Sequence, residues 1–98
     1  MMSPSRFYKF SADFIHGGSL LSSDIIEIDD TYITIKQKKN PFSPIRYISI
    51  PLRNVVNVEV KKIGVGASVF IKSYSRSQIF CKGLSMKNAD KIKQLVLG

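Results

Sequence analysis

Apolar and polar positions alternate with a period of two along most of the chain, in short segments separated by Gly, Pro, Asn, Asp and Ser. This is the pattern of β-strands that bury one face. Tyr8, Phe10, Ala12 and Phe14 share one side while Lys9, Ser11 and Asp13 share the other, predicting a strand near 7–15 that ends at Gly17-Gly18. Ile26 and Ile28 share a side, Asp29-Asp30 supply turn chemistry, and Ile33 and Ile35 return opposite Thr34 and Lys36, predicting a hairpin of 23–28 with 31–38. Neither proline of Asn40-Pro41-Phe42-Ser43-Pro44 has an amide hydrogen for a ladder, so this run reads as an irregular loop. Ile48, Ile50 and Leu52 then alternate with Tyr47 and Ser49, and Val56, Val58 and Val60 with Asn57, Glu59 and Lys61. These are strands near 45–51 and 54–62.

A three-residue loop, Ser75-Arg76-Ser77, would set Tyr74 opposite Gln78 and separate the two faces of a final hairpin. Val69, Ile71, Ile79 and Cys81 then fall on one side, and Phe70, Lys72, Tyr74, Gln78, Phe80 and Lys82 on the other. Gly64-Val65-Gly66 precedes a strand, not a helix, and reads as a hairpin loop, not a phosphate cradle. The chain ends in an amphipathic helix, about 86–97, with Ser85 as N-cap and Leu84 placed to pack on Ala89 as a hydrophobic staple. Ala89, Ile92 and Val96 line its apolar side; Lys87, Asp90, Lys91 and Gln94 line the other.

Seven strands followed by one C-terminal helix resemble the pleckstrin-homology-like superfold, in particular bacterial PH and GRAM-like domains. The hairpin from Ile26 to Ile35 carries the resemblance, as does the run Ile48-Ser49-Ile50-Pro51-Leu52-Arg53-Asn54-Val55-Val56-Asn57-Val58, which is similar to the family's Ile-x-Leu-x-x-Ile-x-x-Val strand. A Gly-bounded strand pair leading into Gly83-Leu84-Ser85 and the helix completes it. The resemblance implies a mainly β domain over 1–98, a bent antiparallel sandwich or barrel of about seven strands capped by the helix, acting as a binding or assembly module. Eukaryotic lipid-binding members carry a Lys and then a spaced Lys-x-Arg near the first hairpin loop. Here Lys36, Lys38, Lys39 and Arg46 occupy that region, Ile48 stands in place of the second basic residue, and the family's helix tryptophan is missing.

With 98 residues, 44% apolar and 22% charged, the chain has the composition of one ordinary folded domain. A single cysteine excludes an intrachain disulfide and a single histidine excludes a multi-His metal site. His16 reads as a turn residue and Cys81 as a small core residue, with no reason to meet, and the acidic cluster Asp24, Glu27, Asp29 and Asp30 lacks calcium-loop spacing. The inventory therefore predicts no enzyme, cofactor or metal. No apolar run is long enough to span a membrane. The reading is cytoplasmic, with peripheral contact at the inner membrane face as its furthest extension.

Charge is distributed unevenly: residues 1–30 carry net −3 and residues 31–98 net +11. A basic cluster is most often a solvated surface; the sharper reading is an anion site. Lys36, Lys38, Lys39 and Arg46 around one loop, with Phe42 at its tip, and Lys61 and Lys62 before another, would form a cationic rim for anionic lipid headgroups. Phe70, Lys72, Tyr74, Phe80 and Lys82 form a mixed aromatic and basic face. A symmetry mate, another protein or the terminal helix could cover it, with the lysine stems lying along the rings. Single-stranded nucleic acid ranks below these, since paired ribonucleoprotein motifs are absent and arginines number four. Self-association or protein binding is the leading expectation.

Overall fold

A computed structural model of the chain describes residues 7–13, 24–38 and 42–97. Strands β1 (Phe7–Ser11), β2 (Ile25–Asp29), β3 (Tyr32–Gln37) and β4 (Arg46–Pro51) form one antiparallel sheet in chain order. After a single 3₁₀ turn at Leu52–Asn54, β5 (Val55–Ile63), β6 (Gly66–Ser73) and β7 (Gln78–Leu84) form a second, and helix α1 (Met86–Leu97) closes the chain. The protein is mainly β. Among the described residues its two sheets stack as a sandwich and do not close into a barrel. No described helix is long and apolar enough to cross a membrane.

Alternation places two apolar rows across the inner face of the first sheet. Phe10, Ile26, Ile35 and Ile48 form one; Tyr8, Ile28, Ile33 and Ile50 form the other. The turn between β2 and β3 is held by the Asp29 carboxylate, which accepts the amides of Thr31 and Tyr32 at 2.7 Å each. Those two bonds hold its pKa below the usual carboxylate value. In the second sheet Val58, Val69, Ile71, Ile79 and Cys81 turn inward and meet the first sheet's isoleucines, with Ala89 and Ile92 of α1, in one core cluster.

Two bulges modify the simple alternation. In β5 the register slips between Val55 and Asn57, so Val55 packs on the core and Val56, expected inside, is exposed. In β7 two residues, Lys82 and Gly83, oppose the single Ser68 of β6. Gly83 takes φ +85° there, a conformation that side-chain-bearing residues rarely adopt. Its carbonyl accepts the Asp13 amide at 2.9 Å and so joins β7 to the end of β1. The extra residue also reverses the alternation: Cys81 and Leu84 both point into the core although they are three positions apart. Leu84 thereby joins the core cluster that includes Ala89, and Ser85 caps α1 through its Oγ, which accepts the Asn88 amide at 3.1 Å.

The final hairpin differs from the expected register by two residues. Lys72 faces Gln78 and Phe70 faces Phe80, while Tyr74 lies past the end of the ladder and donates its amide to Asn54. A slip of two preserves which side each residue faces, so the two faces are as expected. The longer connection is organised by Ser73, whose hydroxyl lies 2.8 Å from both the Ser77 carbonyl and the Ser75 hydroxyl.

Gly83→Ala must place a Cβ at positive φ, at a cost of about 1–2 kcal/mol. Thermal unfolding should show Tm lowered by roughly 4–16 °C for a domain of this size; an unchanged Tm would show that the bulge carries no strain for an L-residue.

Candidate functional site

The outer face of the second sheet is a nine-position grid read from its ladders. Its middle row is Glu59, Phe70 and Phe80; Asn57, Lys72 and Gln78 lie on one side of that row, and Lys61, Ser68 and Lys82 on the other. Alternation turns these side chains away from Val58, Val69, Ile71, Ile79 and Cys81, which fill the core, and all but the buried Ser68 keep at least part of their surface exposed. The Phe70 and Phe80 rings are 6.2 Å apart at a 58° tilt, an aromatic pairing worth about 0.5–1.5 kcal/mol. Phe80 is nonetheless 47% exposed. The Lys72 ammonium stands 5.4 Å above the Phe70 ring and 3.9 Å from the Glu59 carboxylate. Tyr74, grouped with these rings on sequence, is 80% exposed on the β6–β7 connection. Helix α1 packs on β5 and β6 from the core side, so it does not cover this face.

From residue 60 to 89 the chain has six basic residues, Lys61, Lys62, Lys72, Arg76, Lys82 and Lys87, and no acidic one. Glu59 is the single carboxylate on the grid.

The first basic loop is arranged differently from the expected rim. Lys36 lies on the outer face of the first sheet, its ammonium 2.8 Å from Glu27 and 5.8 Å from the Tyr47 ring centroid. The Glu27 bond raises its pKa. Lys38 is half-buried, Arg46 is exposed opposite Gln37, and Phe42 is 97% exposed; Lys39 and His16 fall outside the described residues. Lys61 and Lys62 alternate to opposite faces at the far end of β5. Lys62 shares a row with Ala67 and Leu84, four residues along β7 and two strands across from Phe80, whose carbonyl accepts the Gln37 amide. At about 3.3 Å per residue and 4.8 Å per strand, Lys62 lies on the order of 15 Å from the Gln37 crossing.

A polar seam at that crossing was not singled out on sequence. The inward rows of the first sheet continue into Ala12, Asp24, Gln37 and Arg46. Gln37 donates its side-chain amide to the Phe80 carbonyl at 3.2 Å and to the Asp24 carboxylate at 3.5 Å. Two polar residues at inward-facing positions were the available signal. Burial pushes the Asp24 pKa up, opposed by the Gln37 hydrogen bond and the Lys82 charge. The buried Cys81 thiol is pushed up to about 12, by burial and then by the Asp24 charge, which keeps it a thiol. Among the described residues no cluster of His, Cys, Asp or Glu is placed to hold a metal ion.

A carboxyl whose folded-state pKa is raised costs stability while ionised, and the cost fades as falling pH protonates it. Asp24→Asn should therefore raise Tm at pH 7, with the difference closing in acid. A variant less stable at pH 7 would assign the carboxylate a net favourable partner in Lys82. Compared with known proteins, the chain matches no family model, no curated protein and no solved structure.

Proposed function

We propose that the protein is a non-catalytic binding or assembly module of pleckstrin-homology-like type, and that it docks another polypeptide on the outer face of β5, β6 and β7. The order of seven strands, split four and three and followed by a helix, supports the family reading. The Phe70–Phe80 pair carries the docking reading: two rings on adjacent strands, outside the core, framed by lysines. Stable interfaces are built from aromatic anchors with a polar rim. The ladder holds these rings in place before any partner arrives, which lowers the entropy cost of binding.

A photo-crosslinking phenylalanine analogue at position 80 should give a discrete adduct in cells, and Lys72→Glu with Lys82→Glu should abolish it. The same analogue at Lys93, on the other side of the sheet, should give none. Phe80→Ser should cost about 1–2 kcal/mol, from the ring pair and the half-buried ring together, against about 2–5 kcal/mol for Ile79→Ala in the core. A loss at Phe80 as large as at Ile79 would make the ring structural and end the docking reading.

A second reading, peripheral binding to anionic lipid headgroups, draws on the β5–β6 tip. Gly64 supplies the positive φ, +57°, of a two-residue turn. Ile63 and Val65 are 52% and 77% exposed there, with Lys61 and Lys62 behind them. Each lysine is worth about 1 kcal/mol near an acidic surface. Vesicles containing anionic lipid should pellet the protein and release it on Lys61→Glu with Lys62→Glu; equal pelleting with neutral vesicles removes this reading.

A further inference from the structure

From the grid on the outer face of the second sheet we infer that its partner is an acidic, extended polypeptide segment with apolar side chains between its carboxylates, and not a second copy of this chain. The inference rests on the docking reading above and names the class of occupant.

Charge decides against self-association through this face. Lys61, Lys72 and Lys82 lie on the grid with Glu59 as its one carboxylate. Two copies related by a twofold axis would set cations against cations while desolvating them. The rings decide against a base-stacking platform. One face of Phe70 is occupied by the Lys72 ammonium at 5.4 Å, and the 58° tilt leaves no parallel pair of ring faces for successive bases. Glu59, at the end of the aromatic row, would also repel phosphate.

Spacing points to the occupant. The Lys72 row and the Lys61–Lys82 row lie four residues apart along β6, with the Phe70–Phe80 row midway. At about 3.3 Å per residue this is roughly 13 Å, the span of residues i and i+4 in an extended chain. A segment running along the strands thus brings carboxylates at i and i+4 to the two lysine rows. Its i+2 side chain, pointing the same way, reaches the half-exposed Phe80. Acid, apolar, acid at every second position is the complementary pattern.

The test uses the full chain, isotopically labelled for NMR, with a fluorescent peptide of sequence Glu-Thr-Leu-Thr-Glu-Thr-Leu-Thr-Glu. Its lysine-for-glutamate counterpart, oligo-dT of similar length and a dilution series of the protein alone are the other arms. The acidic peptide should shift the signals of Lys61, Phe70, Lys72, Phe80 and Lys82 and bind more weakly as salt rises. Lys72→Glu with Lys82→Glu should weaken it by roughly tenfold or more. The neutral pair Lys72→Gln with Lys82→Gln should give an intermediate loss, and Lys93→Glu little. Dispersed spectra for each variant establish that it is folded. Shifts on the grid from oligo-dT but not from the peptide would overturn the polypeptide class while leaving the face as a docking surface. Grid shifts that grow with protein concentration alone would assign it to a second copy. No peptide binding, or an equal loss with Lys93→Glu, would also overturn the inference. An empty crosslinking result at position 80 would remove the docking reading itself.

Discussion

The joint between the sheets depends on one surplus residue in β7. With Lys82 and Gly83 both set against Ser68, the strand turns Leu84 into the core and presents the Gly83 carbonyl to Asp13. A regular β7 would have pointed Leu84 outward, away from the core cluster that it shares with Ala89 of α1. Glycine permits this because the bulge needs positive φ. The same residue thus joins the sheets and aims the helix, and the apolar end of the sandwich is covered as a consequence.

The core that follows is built from small repeated parts. Two rows of aliphatic and aromatic side chains on the first sheet meet the valines and isoleucines of the second, with Ala89 and Ile92 completing the packing. No buried side-chain polar atom among the described residues lacks a hydrogen-bond partner, which suits a core this small, where one unpaired group would offset much of the net stability. The polar seam of Asp24 and Gln37 lies where the first sheet ends against β7, and it meets a backbone carbonyl there in place of another side chain.

The outer side of the second sheet has the opposite character. Its lysines gain little from Glu59, since an exposed pair of this kind contributes about 0–1 kcal/mol. The rings between them are fastened by their strands and by each other. Stability of the domain therefore asks less of Phe80 and Lys72 than of the core, and their arrangement is open to explanation by binding. The two sides of one sheet divide the labour: the inner holds the fold and the outer presents the chemistry.

Period-two alternation is a local stereochemical property of extended chain, so the sequence by itself determined the strands, most of their inward residues, the Asp29 turn and the capped helix at Met86–Leu97. It placed Phe70 and Phe80 on one face even though the hairpin register it suggested was two residues off, because a slip of two leaves every side chain on its own side. Bulges have no such local signature: Val56 is outside and Leu84 inside because of which distant strands oppose them. The same holds for basic residues that look alike along the chain. Only the tertiary structure decided that Lys36 is engaged by Glu27 and Tyr47, that Lys62 stands some 15 Å from the Gln37 crossing, and that Lys61, Lys72 and Lys82 share a face, since separation in space is set by strand order and not by spacing in sequence.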